Sequence, residues 1–161
     1  MKYLDYAITF SEFPDEIALC INISNCSFHC SGCHSPELWE DKGIELNEKS
    51  LTELINKSSG ISCVGFMGGE PGAVNDLAKF VKDNWALNVG WYTGYDRIPF
   101  DINPNNFDFI KLGPYIKEKG PLNNPNTNQR YCIKGSHLNK MDANDNMFYD
   151  VTDKFWRHEN N

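Results

Sequence analysis

Val74, Leu77, Ala78, Val81 and Trp85 fall at i, i+3, i+4, i+7 and i+11, one apolar stripe that predicts a helix over residues 74–85. A second helix is predicted over 48–58, where Leu51, Leu54 and Ile55 share a face and Asn47 can cap the N-terminus. Residues 61–67 form a near-continuous apolar run, the pattern of a strand buried on both faces. Further strands are predicted over 17–24, 87–93 and 107–112. Residues 131–134 and 147–151 fit short strands. The stretches 25–36, 94–106 and 120–128 are rich in Cys, Pro, Asn, Asp or Gly and read as loops. Strands alternating with helices define an α/β protein with mostly parallel strands. With no repeat, linker or low-complexity tract, residues 1–161 are expected to form a single domain.

Composition narrows the function classes. The chain of 161 residues is 40% apolar, enough for a sizeable core, and carries a formal charge of −7. There is no Lys/Arg-rich run, so no nucleic-acid partner is expected. No stretch approaches the ~20 apolar residues of a membrane span, so no membrane partner is expected either. The N-terminal MKYLDYAITFSEFPDE places acids where a signal peptide is basic, then apolar. A cytoplasmic location follows as the expectation. There, clustered cysteines point to metal binding or catalysis rather than to disulfides.

Three of the six cysteines fall within eight residues, as Cys26-x3-Cys30-x2-Cys33, just after a predicted strand. Three thiolates on a tight loop can each take one iron of a cubane [4Fe–4S] cluster. The fourth iron then has no protein ligand, and an open coordination site distinguishes a catalytic centre from a closed structural one. The loop lies at the carboxyl end of a strand, where ligands bind in parallel α/β folds. Two alternatives use the same residues. A zinc site can combine these cysteines with His29 or His34, and an electron carrier can recruit Cys20, Cys63 or Cys132 as a fourth cluster ligand. Those last three lie in or beside predicted strands, where buried inert thiols are the simpler expectation.

Other strand ends add candidates. Gly68, Gly69 and Glu70 follow the run 61–67, and two glycines there allow positive φ and close backbone approach to a ligand. Alone, this is a turn signal. Thr93 and Gly94 end the next strand, while Trp91 within it reads as core. Lys111, near the end of the fourth, can meet an anionic group at the mouth of a site.

The run Cys26-Ser27-Phe28-His29-Cys30-Ser31-Gly32-Cys33 resembles the cluster loop of the radical S-adenosylmethionine (SAM) superfamily. In that superfamily the amino and carboxylate groups of SAM chelate the open iron, and one electron breaks a sulfonium C–S bond. Many members carry an aromatic residue near the adenine where this chain has Gly32. The order of motifs is more specific. After the cysteine loop come Gly68-Gly69-Glu70-Pro71, Thr93-Gly94-Tyr95, Asp108-x-x-Lys111-x-Gly113-Pro114-Tyr115 and Asn128-Gln129-Arg130. Over residues 25–130 this resembles the activating proteins of anaerobic (class III) ribonucleoside-triphosphate reductase, with Ser31 in place of an expected proline.

The resemblance implies Cys26, Cys30 and Cys33 as cluster ligands and catalytic centre. It implies SAM contacts from His34, Gly68, Gly69, Glu70, Thr93, Gly94 and Lys111, of which the glycine turn holds the SAM amino group. It implies a low-potential electron donor and the reductase's glycyl-radical subunit as partners. It also implies a short, open version of the superfamily's partial (β/α) barrel, because full barrels use about six βα units, on the order of 200 residues. Three functions stand at this point: glycyl-radical activase, a radical SAM enzyme acting on a small molecule such as a deazapurine synthase, or a non-enzymatic iron–sulfur or zinc module.

Overall fold

Asn47 and Ser50 form a capping box at the start of helix α1 (Glu48–Lys57): each side chain bonds the other's backbone N–H, at 3.0 and 2.9 Å. The computed structural model describes residues 1–138 and 148–156. Helix α2 (Pro71–Asn84) begins three residues before the apolar stripe, because Glu70 caps it and Pro71 takes the first turn, where a missing N–H costs nothing.

The strands are β1 (Lys2–Thr9), β2 (Ala18–Ile23), β3 (Ile44–Glu45), β4 (Cys63–Met67), β5 (Asn88–Tyr92), β6 (Phe109–Leu112), β7 (Arg130–Lys134) and β8 (Phe148–Asp150). They form one sheet in the order β3-β1-β2-β4-β5-β6-β7-β8. The four strands expected to be parallel, β2, β4, β5 and β6, are parallel neighbours at its centre. The sheet as a whole corrects the expectation of mostly parallel strands. Its other four pairings are antiparallel, β1 with β2 and β3 on one side and β7 with β6 and β8 on the other. Residues 10–17, which join β1 to β2, are too few for a parallel crossover.

β1 itself was not expected from the pattern. Only Tyr3 is buried along it, and its partner β3 pairs it at Lys2 and Tyr3 alone, so no apolar alternation marks it. Of the strand expected over 147–151, residues 148–150 are strand, and Met147 lies outside the described residues.

Alternate residues of the central strands face opposite cores. Leu19, Ile21, Val64, Phe66, Val89, Trp91 and Ile110 pack with both helices. Among the described residues the other face carries no α-helix, only the short 3₁₀ turns Gly135–Leu138 and Thr152–Phe155. Along it, Cys20, Gly65, Gly90 and Phe109 lie in register as one row. The fully buried Phe13, from the β1–β2 connection, occupies the room over the two glycines, where a Cβ on either would overlap its ring. Phe13 also packs edge-on to Tyr92, 5.1 Å between centroids.

At the other end of β6, Asp108 is buried and bonded to Lys82 of α2 (2.8 Å), His137 (2.9 Å) and the Val89 N–H (2.8 Å). Burial pushes its pKa up; His137, Lys82 and the amide outweigh that, and the net direction is down. This clasp ties helix, sheet and the segment after β7 together. Among the described residues no helix is long and apolar enough to cross a membrane.

Candidate metal centre

The row above Phe13 is where the site begins. Asn22, Met67, Tyr92 and Lys111 are in register across β2, β4, β5 and β6, each at or next to the carboxyl end of its strand. All four point away from the helices and line a cavity of about 220 Å³. The cysteine loop forms the roof, so that Cys26, Cys30 and Cys33 line the same cavity.

Local chemistry winds that loop tightly. Asn25, His29 and Gly32 take positive φ of 63°, 45° and 76°, with Asn and Gly at two of these positions tolerating it well. The Cys33 N–H closes a turn onto the Cys30 carbonyl (3.0 Å). Asn25 and Cys26 donate to the carbonyls of Glu40 and Leu38, which pins the loop to the short 3₁₀ turn Pro36–Trp39. The Ser35 N–H lies 3.4 Å from the Cys33 sulfur, the amide-to-sulfur contact that tunes iron–sulfur centres. By contrast Cys20, Cys63 and Cys132 are buried free thiols. Desolvation pushes Cys20 and Cys132 up to about 11 and Cys63 higher still, as expected of inert thiols.

Among the described residues no three His, Cys, Asp or Glu side chains converge as ligands of a single ion. A cubane asks for a wider spacing, because each thiolate takes a different iron. Two further features of the cavity suit such an anionic group. The Trp39 indole N–H is buried without a partner among the described residues, and Trp39 lines the cavity. The buried Lys111 ammonium lines it too, held by the carbonyls of Thr93 (3.3 Å) and Gly113 (3.1 Å). Desolvation lowers its pKa to about 8, against the opposing pull of the three cysteine sulfurs.

The other expected site residues surround this centre. Gly68, Thr93 and Gly94 line the cysteine cavity. Gly69 and Glu70 line an adjoining one of about 240 Å³, which shares Cys26 and Gly68 with it. His34 lines a larger opening of about 890 Å³ that shares the row Asn22, Met67, Tyr92 and Lys111. Its ring sits 5.0 Å from that of Tyr115, and the His29 ring stacks on Trp39 at 4.9 Å.

Several of these groups already have work within the fold. Gly68 uses both its polar groups, the N–H to the Tyr92 carbonyl and the C=O from the Trp91 indole, each at 2.9 Å. The Glu70 carboxylate caps α2, accepting from Gly72 (3.0 Å) and Ala73 (2.8 Å). Gly94 seats the Phe28 ring, 2.6 Å from where a Cβ would stand. Gly69, at φ +98°, keeps an amide without a partner among the described residues. The Asn128-Gln129 pair braces the turn after β6, its side chains donating to the carbonyls of Pro114 and Gly113.

The sequence reading did not single out Asn22, Met67, Tyr92 or Trp39. For Asn22, Met67 and Tyr92 the signal is strand phase, position 2n from buried residues of the face that holds Phe13, legible only once the register between strands is known. Trp39, in the 3₁₀ turn Pro36–Trp39, has no such signal.

A loop of three cysteines over a cavity with a buried cation suits an iron–sulfur cluster. The chain belongs to the 4Fe-4S single cluster domain family, whose model matches residues 17–141, and its cofactor is a [4Fe–4S] cluster. The match spans the parallel core and the cysteine loop and begins after β1. No curated protein and no solved structure matches the chain.

Proposed function

We infer that this protein is a radical SAM activase, in which Cys26, Cys30 and Cys33 hold the cluster and the product radical is passed to a glycine of an anaerobic ribonucleoside-triphosphate reductase. The observation that carries the reading is convergence. The cysteine loop, the Gly68–Gly69 turn and Thr93–Gly94 follow three different strands, yet Cys26, Gly68, Thr93 and Gly94 line both the cysteine cavity and the cavity beside it. Three cysteines leave one iron free for a small ligand, and the second cavity is where that ligand extends.

Cys26, Cys30 and Cys33 would hold the cluster, which would supply the one electron needed to cleave SAM reductively to methionine and a 5′-deoxyadenosyl radical able to take hydrogen from the glycine Cα. The protein's residues bind and shield. The Gly69 amide meets the methionyl end of SAM, Gly68 fixes the turn and Glu70 shapes it by capping α2. Lys111 complements the anionic centre. Phe13 fills the face below the row, over Gly65 and Gly90.

The sheet's end strands β3 and β8 do not pair with each other, consistent with an incomplete barrel. The 890 Å³ opening leads to solvent past Phe10, Glu12, Pro14 and Leu122. A glycine-bearing loop of a protein substrate can fill it and close the site. Glycine suits the role because it has no side chain and its radical is stabilised by flanking amides.

The test is anaerobic reduction with dithionite in the presence of SAM, with products separated by chromatography. Methionine and 5′-deoxyadenosine are expected in equal amounts from the native protein and none from Cys30→Ala. An iron-loaded protein that leaves SAM intact would reduce the reading to an electron carrier.

A further inference from the structure

Position 111 is unusual for its place in the sheet. It lies in the centre of the fold between the buried Ile110 and Leu112, and its own residue is buried at 9% exposure. Lysine is almost never fully buried without a partner, and desolvating an ammonium costs several kcal/mol. Lysines near a surface avoid this by extending the head group into water. Lys111 does not, because its Nζ is tied to the carbonyls of Thr93 and Gly113 and lies 5.4 Å from the centroid of the Tyr92 ring. Carbonyls and an aromatic face orient the charge without neutralising it. Among the described residues no carboxylate pairs with it. It lines the same cavity as Cys26, Cys30 and Cys33, while Glu12 lines the larger opening beside it.

We propose that Lys111 is the fixed countercharge of the cluster and sets its midpoint potential by favouring the reduced state. This rests on the reading that Cys26, Cys30 and Cys33 are the ligands. With three thiolates, an oxidised core of charge +2 gives a net −1. One electron from a low-potential one-electron donor makes it −2, with no proton transferred. A cation held at constant distance in a low-dielectric cavity stabilises the more negative state more strongly, and net charge and local hydrogen bonding set such potentials. Lys111 is a positioning and tuning residue here, since it acts on the electron equilibrium without ligating iron.

A lysine that only braced the two carbonyls would affect stability and leave the potential alone, so the potential is the discriminating readout. Lys111→Gln, Lys111→Met and Lys111→Arg are reconstituted anaerobically, assayed for iron and sulfide, and titrated with dithionite while the reduced cluster is followed by EPR. The two neutral variants are expected to keep the cluster and to show a reduced-to-oxidised ratio about tenfold lower at a given potential, a shift of about 59 mV for a one-electron couple. Lys111→Arg keeps the charge and should stay near the native value, and Glu12→Gln should move the potential slightly the other way. Neutral variants fully loaded with iron and titrating at the native potential would overturn the proposal. If one neutral variant fails to fold, the other decides. A Cys26→Ala protein that retains a full cluster would instead sink the ligand reading, and iron content alone reports that.

Discussion

The indole N–H of Trp91 donates to the carbonyl of Gly68 across 2.9 Å, from the helix side of β5 to the turn that ends β4. A fully buried core tryptophan therefore also sets the orientation of a peptide in the candidate SAM site. Trp91→Phe keeps most of the packing and removes the donor. It should destabilise the protein by about 1 kcal/mol, the typical net contribution of one hydrogen bond. It should also weaken SAM binding while iron content stays native. Urea denaturation and calorimetry measure the two effects; SAM affinity unchanged in a destabilised Trp91→Phe protein would separate the turn from the ligand.

Glu70 gives a pH test. The amides of Gly72 and Ala73 lower its carboxyl pKa from the ordinary value. A depressed folded-state pKa means stability that is present above the unfolded pKa and is lost as pH falls through the folded one. Glu70→Ala should therefore cost about 1 kcal/mol near pH 7, a typical helix cap. The gap between native and variant should shrink in strongly acidic solution. A gap independent of pH would show that the uncharged side chain does the capping.

Gly90 and Phe13 form a lock on the face away from α1 and α2. Gly90→Ala places a methyl in the ring's position and should destabilise the fold by about 1–3 kcal/mol, the usual range for overpacking. Phe13→Ala empties the space and should cost about 3–5 kcal/mol. In the Phe13→Ala background, Gly90→Ala should be harmless or mildly stabilising, because the added methyl no longer meets the ring and alanine suits a strand interior better than glycine. Additive effects of the two substitutions would contradict the contact.

These contacts mark the limit of what the sequence discloses. Both helices and all four parallel strands are legible because periodicity and caps are local signals, and Asn47 and the stripe from Val74 to Trp85 carry them in full. The cysteine loop is legible because its spacing is local too. β1 is not: a strand with one buried side chain has no pattern, and its partner β2 supplies the reason it is extended. α2 starts at Pro71 because Glu70, inside an apparent glycine turn, serves as its cap. The Asn22–Met67–Tyr92–Lys111 row and the seat of Phe13 over Gly65 and Gly90 depend on inter-strand register, which no single stretch of sequence encodes. For the same reason the sequence places Lys111 at the mouth of a site and does not disclose that it is buried.

The buried thiols separate the cluster ligands from bystanders. Cys63→Ala should retain native iron and sulfide, since Cys63 is enclosed with Phe13 in the core below the site. Cys26→Ala, Cys30→Ala and Cys33→Ala should each lose most of the iron. Iron lost from Cys63→Ala and kept in Cys33→Ala would move the cluster to a different set of ligands.

The proposed activity is generation of a radical on a protein partner. The direct measurement is EPR of an anaerobic mixture of the reduced protein, SAM and the glycyl-radical subunit of an anaerobic ribonucleoside-triphosphate reductase. A glycyl radical signal should grow on the reductase, with one 5′-deoxyadenosine formed per radical, and should be absent when Cys30→Ala replaces the native protein. Steady 5′-deoxyadenosine production with no radical on the reductase, alongside turnover of a purine-like small molecule, would contradict the account.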